Sequence, residues 1–177
     1  MYWQQIHKKL LDNGCDIFVL SSCYHQLEEA LDQAVKAPIN FMIEIGTHNG
    51  LSTAVFTRHA DRVFTFDVAS RNAERVWELL GVRDKISAMV STRDNLEWEL
   101  SYIKTNNFWK EKNFNFNFAF LDGSHEYYAV ARDFEIVSYT GRVLFHDYKT
   151  NPGVHAFCDE IGARPLDNIN FAYWENT

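Results

Sequence analysis

Two groups of residues in this sequence have the types and spacing that chemistry needs. The first is the run Glu44-Ile45-Gly46-Thr47-His48-Asn49-Gly50-Leu51-Ser52, where an apolar segment meets two glycines and then a helix-like pattern. A strand, a tight glycine turn and a helix start together set backbone N–H groups beside a crevice, where a polar or anionic ligand group can bind. The pattern is ExGxxxG and not the GxGxxG of dinucleotide binders. An acid two positions before the first glycine is badly placed for a pyrophosphate and well placed for a ligand carrying an ammonium group. Asp67 follows Gly46 by 21 residues, the separation at which an acidic side chain reaches ribose hydroxyls in such folds. A nucleoside ligand is implied, with Glu44, Gly46, Thr47, His48, Gly50, Ser52 and Asp67 as its candidate contacts.

The second group is Asp122-Gly123-Ser124-His125 with His146-Asp147. Two carboxylates facing one crevice either share a cation or raise one pKa. Oxygen ligands favour Mg²⁺, the leading expectation, or Ca²⁺; adding His146 opens the set Asp122, His146 and Asp147 to Mn²⁺, Fe²⁺ or Zn²⁺. His125, after a Gly-Ser turn at a helix start, is the candidate general base, with Asp122 beside it. A helix N-terminus disfavours imidazolium and predicts a neutral ring. Plainer readings stay open: Asp122 as a partner of the turn amides with Ser124 as an N-cap, and His146 as a core histidine.

These groups need elements that hold them at one crevice. Short apolar runs alternate with longer amphipathic ones, which predicts βαβ units and a parallel sheet. Strands are expected near Phe41 to Ile45, Arg62 to Phe66, Ile86 to Val90, Phe116 to Leu121 and Arg142 to Phe145, with an edge strand over Ile169 to Trp174. Helices fit Leu51 to His59, Arg71 to Leu80, Asp94 to Lys104, His125 to Tyr139 and Gly153 to Ile161; Asn106 to Asn117 reads as a loop. The fold class is α/β, a doubly wound, mostly parallel Rossmann-like sheet with helices on both faces. A short helical N-terminal extension (1–37) precedes the core (38–177), in one domain. Asp67, Asp122 and His146-Asp147 then fall at the C-terminal ends of strands, where open α/β sheets bind ligands.

Seventeen Lys and Arg against 24 Asp and Glu give a net charge of −7, which repels nucleic acid and anionic lipid surfaces. Cys15, Cys23 and Cys158 form no CxxC pair and read as reduced. The N-terminus lacks the apolar run of a signal peptide, and no stretch has the length of a membrane span. The expectation is a cytoplasmic protein with no nucleic-acid or membrane partner.

Glu44 to Ser52 and Val63 to Asp67 resemble the first two motifs of class I S-adenosylmethionine-dependent methyltransferases. Phe120-Leu121-Asp122-Gly123-Ser124-His125-Glu126-Tyr127, with Val143-Leu144-Phe145-His146-Asp147-Tyr148 and Pro152-Gly153-Val154, is similar to a narrower branch. That branch holds small O-methyltransferases related to macrocin-type sugar methyltransferases and cephalosporin hydroxylase-like proteins. The likeness spans roughly residues 40 to 161. It implies S-adenosylmethionine as cofactor and methyl transfer to a hydroxyl oxygen of a small molecule such as a sugar. In metal-dependent relatives, acids at the matching strand ends hold a divalent ion; this chain has His146 where some have a second acid. Two other readings stay open: a metal-dependent oxygenase or hydrolase using Asp122, His146 and Asp147, and a non-catalytic nucleoside-binding module. Only about 24 residues follow Gly153, so the acceptor pocket is expected from the N-terminal helices, the Asn106 to Asn117 loop and a second copy of the chain in a homodimer.

Overall fold

The computed structural model describes residues 2–15, 23–69, 72–91, 95 and 115–176. The helix expected over Asp94 to Lys104 and most of the Asn106 to Asn117 loop lie outside the described residues.

Helices α1 (Tyr2–Asp12) and α2 (Cys23–Ala34) lead into β1 (Ile39–Ile45), α3 (Leu51–Phe56), β2 (Ala60–Asp67), α4 (Ala73–Leu80) and β3 (Ile86–Val90). The second half runs β4 (Phe116–Leu121), α5 (Tyr127–Val137), β5 (Arg142–His146), α6 (Pro152–Glu160), β6 (Arg164–Pro165) and β7 (Phe171–Glu175). The strands form a seven-stranded sheet in the order β3-β2-β1-β4-β5-β7-β6. The neighbours from β3 through β5 are parallel, and β7 is antiparallel to both β5 and β6. The chain winds outward from β1 to β3 and restarts at β4 on the other side of β1, so a crevice opens at the C-terminal ends of β1 and β4.

Alternation along the strands sorts side chains onto two faces. Ile43, Ile45, Phe64, Phe66, Val143 and Phe145 pack with Val130 and Val137 of α5 and Val154 and Phe157 of α6. Met42, Val63, Phe118, Phe120 and Leu144 pack with Leu27 and Leu31 of α2 and Val55 and Phe56 of α3. Ile6 and Leu10 of α1 join Trp77 and Val76 of α4, so the N-terminal extension covers the helices that follow the glycine turn. Among the described residues, no helix is long and apolar enough to cross a membrane.

The boundaries differ from the sequence pattern for local reasons. α3 ends at Phe56 because the next amides, Arg58 and His59, bond three residues back, to Val55 and Phe56, a tightened last turn. α5 starts at Tyr127 with Glu126 as the capping residue, two residues later than expected. The run at Ile169 to Trp174 is not an edge strand: β7 lies between β5 and β6. The outer β6 has two residues, one of them Pro165, too short for a periodic signal and suited to an edge because proline lacks a donor.

Gly46 sits at the crevice with φ +104°, and a Cβ there would fall 2.2 Å from the Asp122 carbonyl oxygen. Gly162 also has a positive φ, +69°, but open space around it. Gly46→Ala is therefore expected to destabilise the fold by on the order of 3 kcal/mol or more, strain and clash together. Gly162→Ala should cost only the backbone strain, about 1–2 kcal/mol. Urea unfolding of the two variants measures the difference.

Candidate functional site

A cavity of about 370 Å³ opens at the ends of β1, β2 and β4, and Gly46, His48, Asp67, Asp122, Gly123 and Asp133 are among its lining residues. That volume lies in the range of small-molecule sites. Gly46 donates its amide to the Phe66 carbonyl (2.8 Å) and the Asp122 amide bonds the Ile45 carbonyl (2.9 Å), so the turn is stitched to both neighbouring strand ends. Asp67 ends β2. Its Oδ2 accepts the His48 amide at 2.6 Å and its Oδ1 accepts the Ala69 amide at 3.2 Å. A carboxylate oxygen has two lone pairs, so each keeps one for a ligand hydroxyl. His48 is in left-handed backbone, φ +48°.

Glu44, Gly50 and Ser52 do not line this cavity, and Thr47 lines instead a smaller one, about 80 Å³, on the other side of Asp67. Alternation on β1 points Glu44 to the α3 face, opposite Ile43 and Ile45, and there it is fully buried. Its Oε1 accepts from Ser52 Oγ at 2.5 Å, and its Oε2 accepts from Thr53 Oγ1 at 2.5 Å and Thr65 Oγ1 at 2.6 Å. Thr47 Oγ1 is 2.6 Å from Thr65 Oγ1. The acid of the glycine motif thus clamps the first turn of α3 and β2 from below, away from the cavity lining. Gly50, φ +78°, is held by Trp77, whose Nε1 donates to the Gly50 carbonyl at 2.7 Å.

Beyond Asp122 the second group does come together. His146 Nδ1 lies 2.8 Å from Asp122 Oδ1, and His125 Nε2 lies 3.1 Å from Asp147 Oδ2 and 3.6 Å from Asp122 Oδ1. The His125 Nε2 contacts lack hydrogen-bond geometry, so the two carboxylates act on the ring through charge when it is protonated. Burial pushes the Asp122 carboxyl up, but its two histidine neighbours outweigh that and hold it below the usual carboxylate range. The His125 ring is raised above its ordinary value, first by Asp122, with burial opposing and Asp147 adding. This corrects the expectation of an imidazole kept neutral by a helix end: the ring precedes α5 by two residues and responds to carboxylates instead. Burial lowers His146, and the Asp122 contact outweighs it, so His146 is raised too. Asp147 has left-handed backbone, φ +59°, and its Oδ1 accepts from Thr150 Oγ1 (2.9 Å) and Asn170 Nδ2 (2.7 Å).

The family model of a methyltransferase domain matches residues 43–148, the segment from within β1 through Tyr148. The chain belongs to the methyltransferase-domain family. No curated protein matches it. Solved structures share the fold of this methyltransferase at low identity. An O-methyltransferase from Bacillus cereus in complex with S-adenosylhomocysteine is 17% identical with TM-score 0.63, covering 98% of this chain and 90% of that one. The N-methyltransferase NodS from Bradyrhizobium japonicum, in complex with the same compound, is 14% identical with TM-score 0.60, covering 98% and 97%. An rRNA methylase from Streptococcus thermophilus is 14% identical with TM-score 0.59, covering 89% and 98%.

Asp133 was not singled out in the sequence, although a carboxylate between Val130 and Val137 on an apolar helix face was a signal in its own right. Thr150 holds Asp147 from within the same turn, whereas Asn170, 23 residues away, carries no sequence signal because it comes from a separate loop.

Burial pushes the Glu44 carboxyl from 4.5 to about 7, against the three hydroxyls that lower it. A raised folded value means that its contribution to stability is full below about pH 4.5 and lost as pH rises through about 7. Compared with Glu44→Gln at each pH, the parent is expected to lose about 3 kcal/mol of stability across that window. Parallel urea titrations at pH 4.5 and 7.5 read the difference, and equal differences at both would refute the assignment.

Proposed function

We propose that this methyltransferase transfers the methyl of S-adenosylmethionine to a hydroxyl oxygen of a small acceptor, a sugar-like polyol being the class of choice. The observation that carries the reading is one cavity joining the glycine turn and Asp67 to Asp122, which in turn lies 2.8 Å from His146 and 3.6 Å from His125; the cavity's described lining residues do not include those two histidines or Asp147. Its residues fit the cofactor: Gly46 leaves bare backbone at the cleft, and Asp67 keeps lone pairs for ribose hydroxyls. The bound cofactor supplies an electrophilic methyl on a sulfonium. Asp147 and Asp122 lie 3.1 and 3.6 Å from Nε2 of His125 and favour a proton on the ring, which suits His125 to take the acceptor's proton as general base. With the cofactor bound, the acceptor oxygen would take that methyl, the C–S bond breaking with its electron pair left on sulfur. Holding the two reactants in line does the rest.

Asp122, His146 and Asp147 place one ligand atom each within 4.8 Å of one another, and opposite ligands of a divalent ion are about 4 to 5 Å apart. The set therefore fits a divalent cation, Mg²⁺ first by its carboxylates, that would orient acceptor hydroxyls. Calorimetric titration with Mg²⁺ is expected to give binding that Asp147→Ala removes; no binding to the parent would discard the cation.

Asp67→Ala is expected to weaken S-adenosylhomocysteine binding tenfold or more, since hydrogen bonds to a carboxylate are worth about 1.5–3 kcal/mol each. His125→Ala should leave that affinity within twofold and lower kcat by about 10²–10⁴. Calorimetry followed by methylation assays on hydroxylated acceptors tests both; tight binding with no turnover on any acceptor would favour a binding module.

A further inference from the structure

We propose that Asn170 is a positioning residue of the site: its side-chain amide occupies one oxygen of Asp147 and so aims the other at His125. This rests on the reading of His125 as base given above. Asp147 follows β5 in left-handed backbone, φ +59°, and its two carboxylate oxygens are not equivalent. Oδ1 accepts from Asn170 Nδ2 at 2.7 Å and from Thr150 Oγ1 at 2.9 Å, two donors for its two lone pairs. Oδ2 is the oxygen that stands 3.1 Å from His125 Nε2. With Oδ1 saturated, the free face of the carboxylate is the one turned to the ring.

The amide of Asn170 is used at every point. Its two N–H groups go to Asp147 Oδ1 and to Thr150 Oγ1, the latter at 2.8 Å, and its Oδ1 accepts the Lys149 amide at 2.6 Å. Thr150 receives from Asn170 and gives to Asp147, so three side chains close a ring over the turn that follows β5. A hydroxyl rotates freely and cannot fix a carboxylate alone, whereas a planar amide bonded on both ends can. The N-terminal extension holds Asn170 in turn. Its backbone amide donates to Gln26 Oε1 of α2 at 3.3 Å, and Gln33 of the same helix bonds the Asp167 amide and carbonyl at 2.9 and 3.2 Å. Leu166 and Ile169 are buried in one cluster with Leu27 and Leu31 of α2. Helix α2 thus reaches the site at one remove: it seats the loop before β7, and the loop sets Asp147.

Asn170→Asp separates this role from that of a mere loop anchor. It has the same shape and keeps an acceptor for the Lys149 amide, but it loses both donors and sets a second carboxylate against Asp147 Oδ1. Assayed in the full chain with S-adenosylmethionine and a hydroxylated acceptor, it is expected to lower kcat about tenfold to a hundredfold, the worth of one hydrogen bond to a charged group. The KM for S-adenosylmethionine and the calorimetric affinity for S-adenosylhomocysteine should stay within about twofold of the parent, which also shows that the variant is folded. In an Asp147→Ala background the same substitution should change kcat by less than about twofold, because a residue that acts through Asp147 then has nothing to aim. Should the Asp variant not fold, Asn170→Ala carries the same pair of comparisons. Parent-like kcat in Asn170→Asp or in Asp147→Ala, or a loss that persists in full in the Asp147→Ala background, would overturn the proposal and leave the methyl-transfer reading standing. If the parent turned over no acceptor, that reading itself would fall and this inference with it.

Discussion

The close approach of Gly46 to Asp122 is the constraint on which the rest depends. β1 and β4 are neighbours at the point where the winding reverses, and the residues that leave them must turn apart within one peptide. No side chain fits between Gly46 and the Asp122 carbonyl, 2.2 Å from where a Cβ would be, and the φ of +104° is one that side-chain-bearing residues rarely adopt. Because the turn is pinned there, two groups that are remote in the chain share one cleft. Asp67 reaches it from β2 through the His48 amide, and Asp122 reaches it from β4 with both histidines attached.

Depth separates the acids of the site by role. Glu44 lies in a cage of hydroxyls below the turn and has no basic neighbour among its hydrogen-bond partners. It keeps α3 and β2 in register with the turn, and burial makes its proton hard to remove. Asp122 is held the other way, kept ionised by His125 and His146 although burial opposes it. One side of the glycine turn therefore favours a neutral acid and the other a charge pair. The cavity runs between them, with Asp67 and Asp122 on its wall.

The strands and the two motifs were legible in the sequence because their signals are local. The runs Ile86 to Val90 and Phe116 to Leu121 match β3 and β4 end to end, and the ends of β2 and β5 put Asp67 and His146 at the C-terminal edge of the sheet. Side-chain direction was less legible. Glu44 looked like a ligand contact because it precedes Gly46 by two positions, but period-two alternation sends it to the opposite face from Ile45. The state of His125 was misread because proximity to a helix start is visible in sequence, whereas Asp147 arrives from the next strand only after folding. Asp133 was hidden by its own helix, where apolar spacing at Val130 and Val137 draws the eye to packing. β6, two residues long, left no periodicity to find.

A crystal structure of the chain grown with S-adenosylhomocysteine tests the central claim most directly. The account expects the ribose hydroxyls on Asp67 and the amino-acid end passing over Gly46 toward Gly123, with Glu44 still bonded to Ser52, Thr53 and Thr65 beneath the turn. Ligand bound elsewhere, or ribose turned away from Asp67, would contradict it.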